Sequence, residues 1–155
     1  MNKIAIGCDH AAFQEKENIR KYLITKGYEV IDVGTNSNQS VNYPEFGHKV
    51  ARMVTESVVN KGIVICGSGI GISIAANKVK GARAALCTTC KHAEMSRKHN
   101  DANILALGAR MTEYNLLEKI VDVFVVVEAN ITHQGKKKGW NFPILLKTKL
   151  KQFSN

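Results

Sequence analysis

The chain has 155 residues, 45% of them apolar, with 22 basic and 13 acidic side chains and a net charge of +9. That length and apolar share suit one domain with its own hydrophobic core. No apolar run approaches the roughly 20 residues of a membrane span, and Met1–Gly7 breaks too soon for a secretion signal, so the expected compartment is the cytoplasm, with no membrane partner.

The predicted elements alternate between strands and helices. Ile4–Gly7 reads as a short buried strand. Ala12, Ile19 and Leu23 then share a helical face, with Glu15, Lys16, Glu17 and Arg20 at polar positions and Gly27 as the stop. Tyr28–Val33 is the second strand, and Asn36–Ser40 a polar loop. Pro44 suits a first helical turn, continued by Phe46, Val50, Met53, Val54 and Ser57. Gly62–Cys66 is the third strand, followed by a glycine loop and a helix over Ile72–Asn77. Ala82–Cys87, Lys91–His99 and Ile104–Leu107 read as strand, helix and strand. Thr112 is placed to cap a last helix reaching about Phe124.

Strands apolar on both faces and separated by helices imply a parallel sheet covered on both sides. The expected architecture is a Rossmann-like three-layer α/β/α sandwich with a five-stranded parallel sheet. Residues 1–127 form this single domain, and residues 128–155 a basic extension packing on the body or on a partner subunit. Ligands of such sheets bind beyond the carboxyl ends of the strands. Asp9, His10, Cys66 with its glycines, His99 and Asn100 beside the fifth strand, and Arg110 after it are all expected there.

The charge is uneven: residues 134–155 carry +6 and residues 1–133 only +3. Lysines alternate with Ile, Leu and Phe in that tail, which fits a solvated face better than a nucleic-acid surface. No nucleic-acid partner is expected. Four cysteines suit a reducing compartment. Cys87 and Cys90 form a lone C-x-x-C with His92 near but no fourth ligand, so they read as two ordinary thiols and no metal is expected.

Cys66-Gly67-Ser68-Gly69-Ile70-Gly71 follows a strand and opens a helix. Glycines let backbone amides crowd an oxyanion, and a helix start adds a favourable field. A dinucleotide fingerprint would need a third glycine where Ile72 stands, and a Walker loop would need Gly-Lys-Ser/Thr. A cradle for a small oxyanion remains, with a thiol at its lip. A helix start favours the thiolate of Cys66, as a base for carbon-acid chemistry requires; taken alone, a Cys at the end of a buried strand is as readily a small core side chain. His10 and Arg110 suit a phosphate. Asp9 could hold sugar hydroxyls or cap the first helix. His99 beside Asn100 suits proton delivery to a ring oxygen, or is an ordinary loop.

Taken together, Ile6–His10, Gly27–Thr35, Tyr43-Pro44, Cys66–Lys78, Ser96–Leu105 and Gly108–Arg110 resemble the type B ribose-5-phosphate isomerase family, which includes galactose-6-phosphate and allose-6-phosphate isomerases. The resemblance spans residues 3 to about 124. It implies an aldose–ketose isomerase that works without metal or other cofactor. Cys66 would move the proton between two carbons through a cis-enediolate. In another branch a Glu takes that role, at the place Ile72 occupies here. Ser68 would sit by the reacting oxygens, and Gly67, Gly69 and Gly71 would offer amides to the enediolate. His99, with Asp9 near, would assist ring opening. Asn100 would hold a hydroxyl, and His10 and Arg110 the phosphate. A homodimer or dimer of dimers with sites at the interface is implied. His99-Asn100-Asp101 resembles the branch acting on ribose 5-phosphate in the pentose phosphate pathway. A six-carbon sugar phosphate, or binding without catalysis, are the alternatives. The family's Glu-Gly-Gly-Arg-His-like segment is replaced by Glu128–Lys138, and no Arg follows Arg110; lysine supplies charge there without the bidentate fork.

Overall fold

The computed structural model describes residues 2–129. Five strands, β1 (Lys3–Cys8), β2 (Glu29–Asp32), β3 (Lys61–Cys66), β4 (Ala84–Leu86) and β5 (Ile104–Gly108), pair in parallel in the order β2-β1-β3-β5-β4. Five helices connect and cover them: α1 (Phe13–Thr25), α2 (Tyr43–Thr55), α3 (Ile70–Asn77), α4 (Cys90–Asn100) and α5 (Tyr114–Val126). The expected three-layer α/β/α sandwich is what forms.

Period-two alternation splits the core into two layers. Ile4, Ile6 and Cys8 of β1, Ile63 and Ile65 of β3, and Leu105 and Leu107 of β5 face α1, α4 and α5. Ala5, Val64, Cys66, Ile104 and Ala106 face α2 and α3. Both faces are buried, which is why these strands read as unbroken apolar runs.

Several boundaries move. β4 is shorter than expected, α3 starts two residues earlier, at Ile70, and α5 runs to Val126. Thr112 does not cap α5: the cap position falls on Glu113, with no side-chain bond. Lys16, expected at a polar position of α1, is 1% exposed. Its ammonium meets Asp32 at 2.6 Å and Glu17 at 2.7 Å. Burial acts against the charge, but the two carboxylates outweigh it and raise the lysine pKa. Lys16 and Arg20 in turn hold the Glu17 carboxyl down to about 2.

The basic extension expected over 128–155 lies, beyond Ala129, outside the described residues. No helix of the described residues is long and apolar enough to cross a membrane.

Candidate active site

Three strand ends meet at one rim of the sheet. Cys8 pairs with Ile65, and Cys66 with Gly108, so the chain leaves β1, β3 and β5 side by side. After β1 the chain crosses to β2 on one side, while β3 and β5 lie on the other. Such a divergence opens a crevice at the carboxyl rim.

Asp9 follows β1. Its amide donates to the Ile65 carbonyl at 3.3 Å. Its buried carboxylate accepts the Ala11 amide at 3.0 Å. Asp9 thus caps a 3-10 turn, His10–Ala12, that precedes α1. Half-buried His10 uses Nδ1 to accept the Val41 amide at 3.2 Å.

Cys66 ends β3 and is 5% exposed. Its Sγ accepts the Gly69 amide at 3.1 Å. That amide and the start of α3 set partial positive charge beside the sulfur. Two other thiols are buried in the opposite core layer. Burial pushes Cys8 up to about 12 and Cys87 up to about 11, so both stay protonated at neutral pH.

The loop after Cys66 is fixed by close backbone approach. Gly69 has φ +76°, and a Cβ there would sit 2.5 Å from Leu86 Cδ1 and 2.8 Å from the Leu107 carbonyl carbon. Only glycine meets both demands. Ser68 Oγ accepts the Ile70 amide at 3.2 Å. The amides of Gly67 and Ser68 have no acceptor among the described residues. They are the loop's open donors; the Gly69 amide, expected to face a ligand, is given to the sulfur instead. Gly71 leaves room for the Tyr43 ring, which comes within 2.8 Å of where its Cβ would be. Tyr43, 41% exposed at the start of α2, was read only as part of Tyr43-Pro44 and not as a site residue. The signal was there: Pro44 in the first turn places Tyr43 at the mouth of the crevice.

Arg110 follows β5. Its amide donates to the Gly67 carbonyl at 2.9 Å, and one guanidinium nitrogen lies 3.6 Å from the Cβ position of Gly67. Its side chain has no hydrogen-bond or ion-pair partner among the described residues.

His99 and Asn100 are elsewhere, contrary to expectation. They close α4 and precede β5, which puts them at the amino rim. The five residues of β5 separate them from the Cys66 rim, about 13 Å of strand. A helix that follows a strand runs back to the sheet's other rim, so a residue just before a parallel strand cannot sit at that strand's carboxyl end. The amino rim is rich in ion pairs. Asp101, at φ +47°, meets Arg83 at 2.9 Å and Arg97 at 3.2 Å. Arg97 Nε donates to the Val127 carbonyl at 3.1 Å, and Lys61 Nζ to that of Val125 at 2.7 Å. A cavity of about 430 Å³ opens among these charges, away from Cys66.

A carboxyl-rim cradle with a thiol, open amides, an imidazole and a guanidinium suits a small phosphorylated substrate. The family model described as Ribose/Galactose Isomerase matches residues 4–138. Ribose-5-phosphate isomerase B of Escherichia coli is 47% identical over 125 residues, covering 81% of this chain and 84% of that one. The galactose-6-phosphate isomerase subunit LacB of Clostridium acetobutylicum is 38% identical over 152 residues, covering 98% and 88%. Among solved structures, Clostridium thermocellum ribose-5-phosphate isomerase B superposes with a TM-score of 0.83 at 47% identity, covering 97% and 96%. Type B ribose 5-phosphate isomerase of Trypanosoma brucei gives 0.85 at 40% identity, covering 97% and 99%. The chain belongs to the ribose/galactose isomerase family and is an isomerase of sugar phosphates.

Proposed function

We propose that the chain interconverts D-ribose 5-phosphate and D-ribulose 5-phosphate, with Cys66 as the base. The observation that carries the reading is the Cys66 sulfur accepting a backbone amide at 3.1 Å beside two open amides. That arrangement supports a thiolate next to an oxyanion cradle. The thiolate takes the C2 proton of the open-chain aldose, and the electron pair moves onto O1 to give a cis-enediolate. The Gly67 and Ser68 amides donate to the enediolate oxygens, and the Ser68 hydroxyl lies beside both. The hydroxyl proton of O2 then passes to O1, the O2 electron pair forms the C2 carbonyl of the ketose, and the C1–C2 double-bond pair takes the proton back from the thiol at C1. His10 and Arg110 hold the phosphate. Asp9 keeps the His10 turn in place.

Ring opening falls to His99, with Asn100 on a hydroxyl. Both stand at the opposite rim from Cys66, so in this reading a second copy of the chain supplies them. Exposed Ile70 and Ile74, one helical turn apart, and exposed Met111 flank the cradle and give a second copy apolar surface to cover.

The substrate has a rival. Ribose-5-phosphate isomerases stand among the relatives at 47% identity, but the galactose-6-phosphate isomerase subunit matches nearly the whole chain. Turnover of ribose 5-phosphate, allose 6-phosphate and galactose 6-phosphate by wild type and Cys66→Ala tests both points. Preference for the pentose, lost in the mutant, is expected. Preference for a hexose would replace the substrate; equal turnover by both proteins would discard Cys66 as the base.

A further inference from the structure

We infer that the loop between β2 and α2 is a positioning device: through the Val41 amide it locks His10 as the tautomer with its only hydrogen on Nε2, the nitrogen left to donate to the substrate's oxyanion.

A backbone amide always donates. When the Val41 amide points at Nδ1 at 3.2 Å, Nδ1 must accept and cannot itself carry a hydrogen. The imidazole hydrogen then resides on Nε2, and a single ring orientation follows.

Both partners are held independently. On one side, Thr35 donates its amide to the Cys8 carbonyl at 3.1 Å, tying the loop's start to the end of β1. Ser37 donates its amide to Thr35 Oγ1 at 3.4 Å, and Gln39 donates its own to Ser37 Oγ at 3.3 Å. These local side-chain bonds give a polar loop a fixed course. Val41 packs against the α2–α3 core layer, and two residues on Tyr43 begins α2 over Gly71. On the other side, the capping bond from Ala11 to Asp9 holds the turn that carries His10. One loop therefore sets two lips of the cradle, the imidazole through Val41 and the phenol through Tyr43. The polar run Asn36–Ser40, which the chemistry otherwise leaves without a role, is the span that makes this possible.

The phosphate role of His10 rests on the proposed function; the tautomer does not. Nitrogen-15 correlation spectra of the labelled full-length protein, with His10 assigned by comparison with His10→Gln, test the lock directly. The expected spectrum shows a non-protonated Nδ1 and a protonated Nε2 on His10 before any ligand is added. Hydrogen on Nδ1, or two tautomers in exchange, would overturn the lock. Adding inorganic phosphate is then expected to move the Nε2 resonance. If the tautomer holds and phosphate moves nothing, the lock stands and the phosphate role of His10 falls. Kinetics separate the lock from simple structural support. Glutamine places an amide nitrogen near the Nε2 position and asparagine near Nδ1. His10→Gln is expected to keep KM within a few fold, and His10→Asn to raise it about tenfold or more, the share of one charge-assisted hydrogen bond. Equal KM values for the two variants would overturn donation through Nε2.

Discussion

The two rims of the sheet are built on opposite rules. At the carboxyl rim, Cys66 Sγ takes the Gly69 amide and Ser68 Oγ the Ile70 amide, while the Gly67 and Ser68 amides and the Arg110 side chain have no partner among the described residues. At the amino rim, Asp101 joins Arg83 and Arg97, and carbonyls at the C-terminal end of α5 accept from Arg97 and Lys61. Unsatisfied donors cost stability unless a ligand takes them, whereas a paired buried network holds elements in register. On the proposed function, the first rim binds and the second stays put. His99 and Asn100 stand on the second, where a rigid base can present them outward.

Five changes sharpen or break this contrast. Cys66→Ala should lower kcat on the order of a thousandfold and leave the melting temperature nearly unchanged; steady-state kinetics with calorimetry would show whether activity and stability separate. At the other rim, Asp101→Ala removes the carboxylate that Arg83 and buried Arg97 share. It should cost about 3 kcal/mol in urea unfolding. Gly69→Ala forces a Cβ into the Leu107 backbone at positive φ and should cost about 2 kcal/mol or more. Gly27→Ala, also at positive φ but with nothing within 4 Å, isolates the conformational part, about 1 kcal/mol. Similar losses at the two glycines would mean that the loop is not tightly seated. The smallest effect concerns Glu17, held down to about 2. Its lowered folded pKa gives stability that is full above about pH 4.5 and fades as pH falls toward 2. Glu17→Gln should flatten that acid-side slope.

The thiols give an independent check on the carboxyl rim. Cys8 and Cys87, with pKa values pushed up to about 12 and 11, should resist iodoacetamide at neutral pH by mass spectrometry, while Cys66 is labelled as activity is lost. Labelling of Cys66 with turnover intact would contradict its role.

Much of this was legible in the sequence because it rests on short-range patterns. Apolar runs with glycine or proline at their ends gave all five strands and five helices, and the strand–glycine–helix order put Cys66 at a carboxyl end. What escaped depends on three-dimensional pairing. Lys16 looks solvent-facing by helical spacing, and only the approach of Asp32 from β2 explains its burial. The Val41–His10 bond joins positions 31 residues apart with no pattern to mark it. The error over His99 and Asn100 came from grouping polar residues near a strand without asking which end they precede. The capping of α5 failed because Thr112 is a good cap by type but stands one residue early, before Glu113.

The central claim is that catalysis needs the carboxyl rim of one chain and the amino rim of another. Cys66→Ala and His99→Ala, carrying different tags and co-expressed, can be purified as mixed assemblies by two successive affinity steps. Each mixed dimer then holds one site with both residues intact and one with neither. The account expects both parents to be nearly inactive and the mixed dimer to turn over at about half the wild-type rate per dimer. A mixed dimer no more active than its parents would contradict it, placing Cys66 and His99 either in one chain's site or in no common site at all.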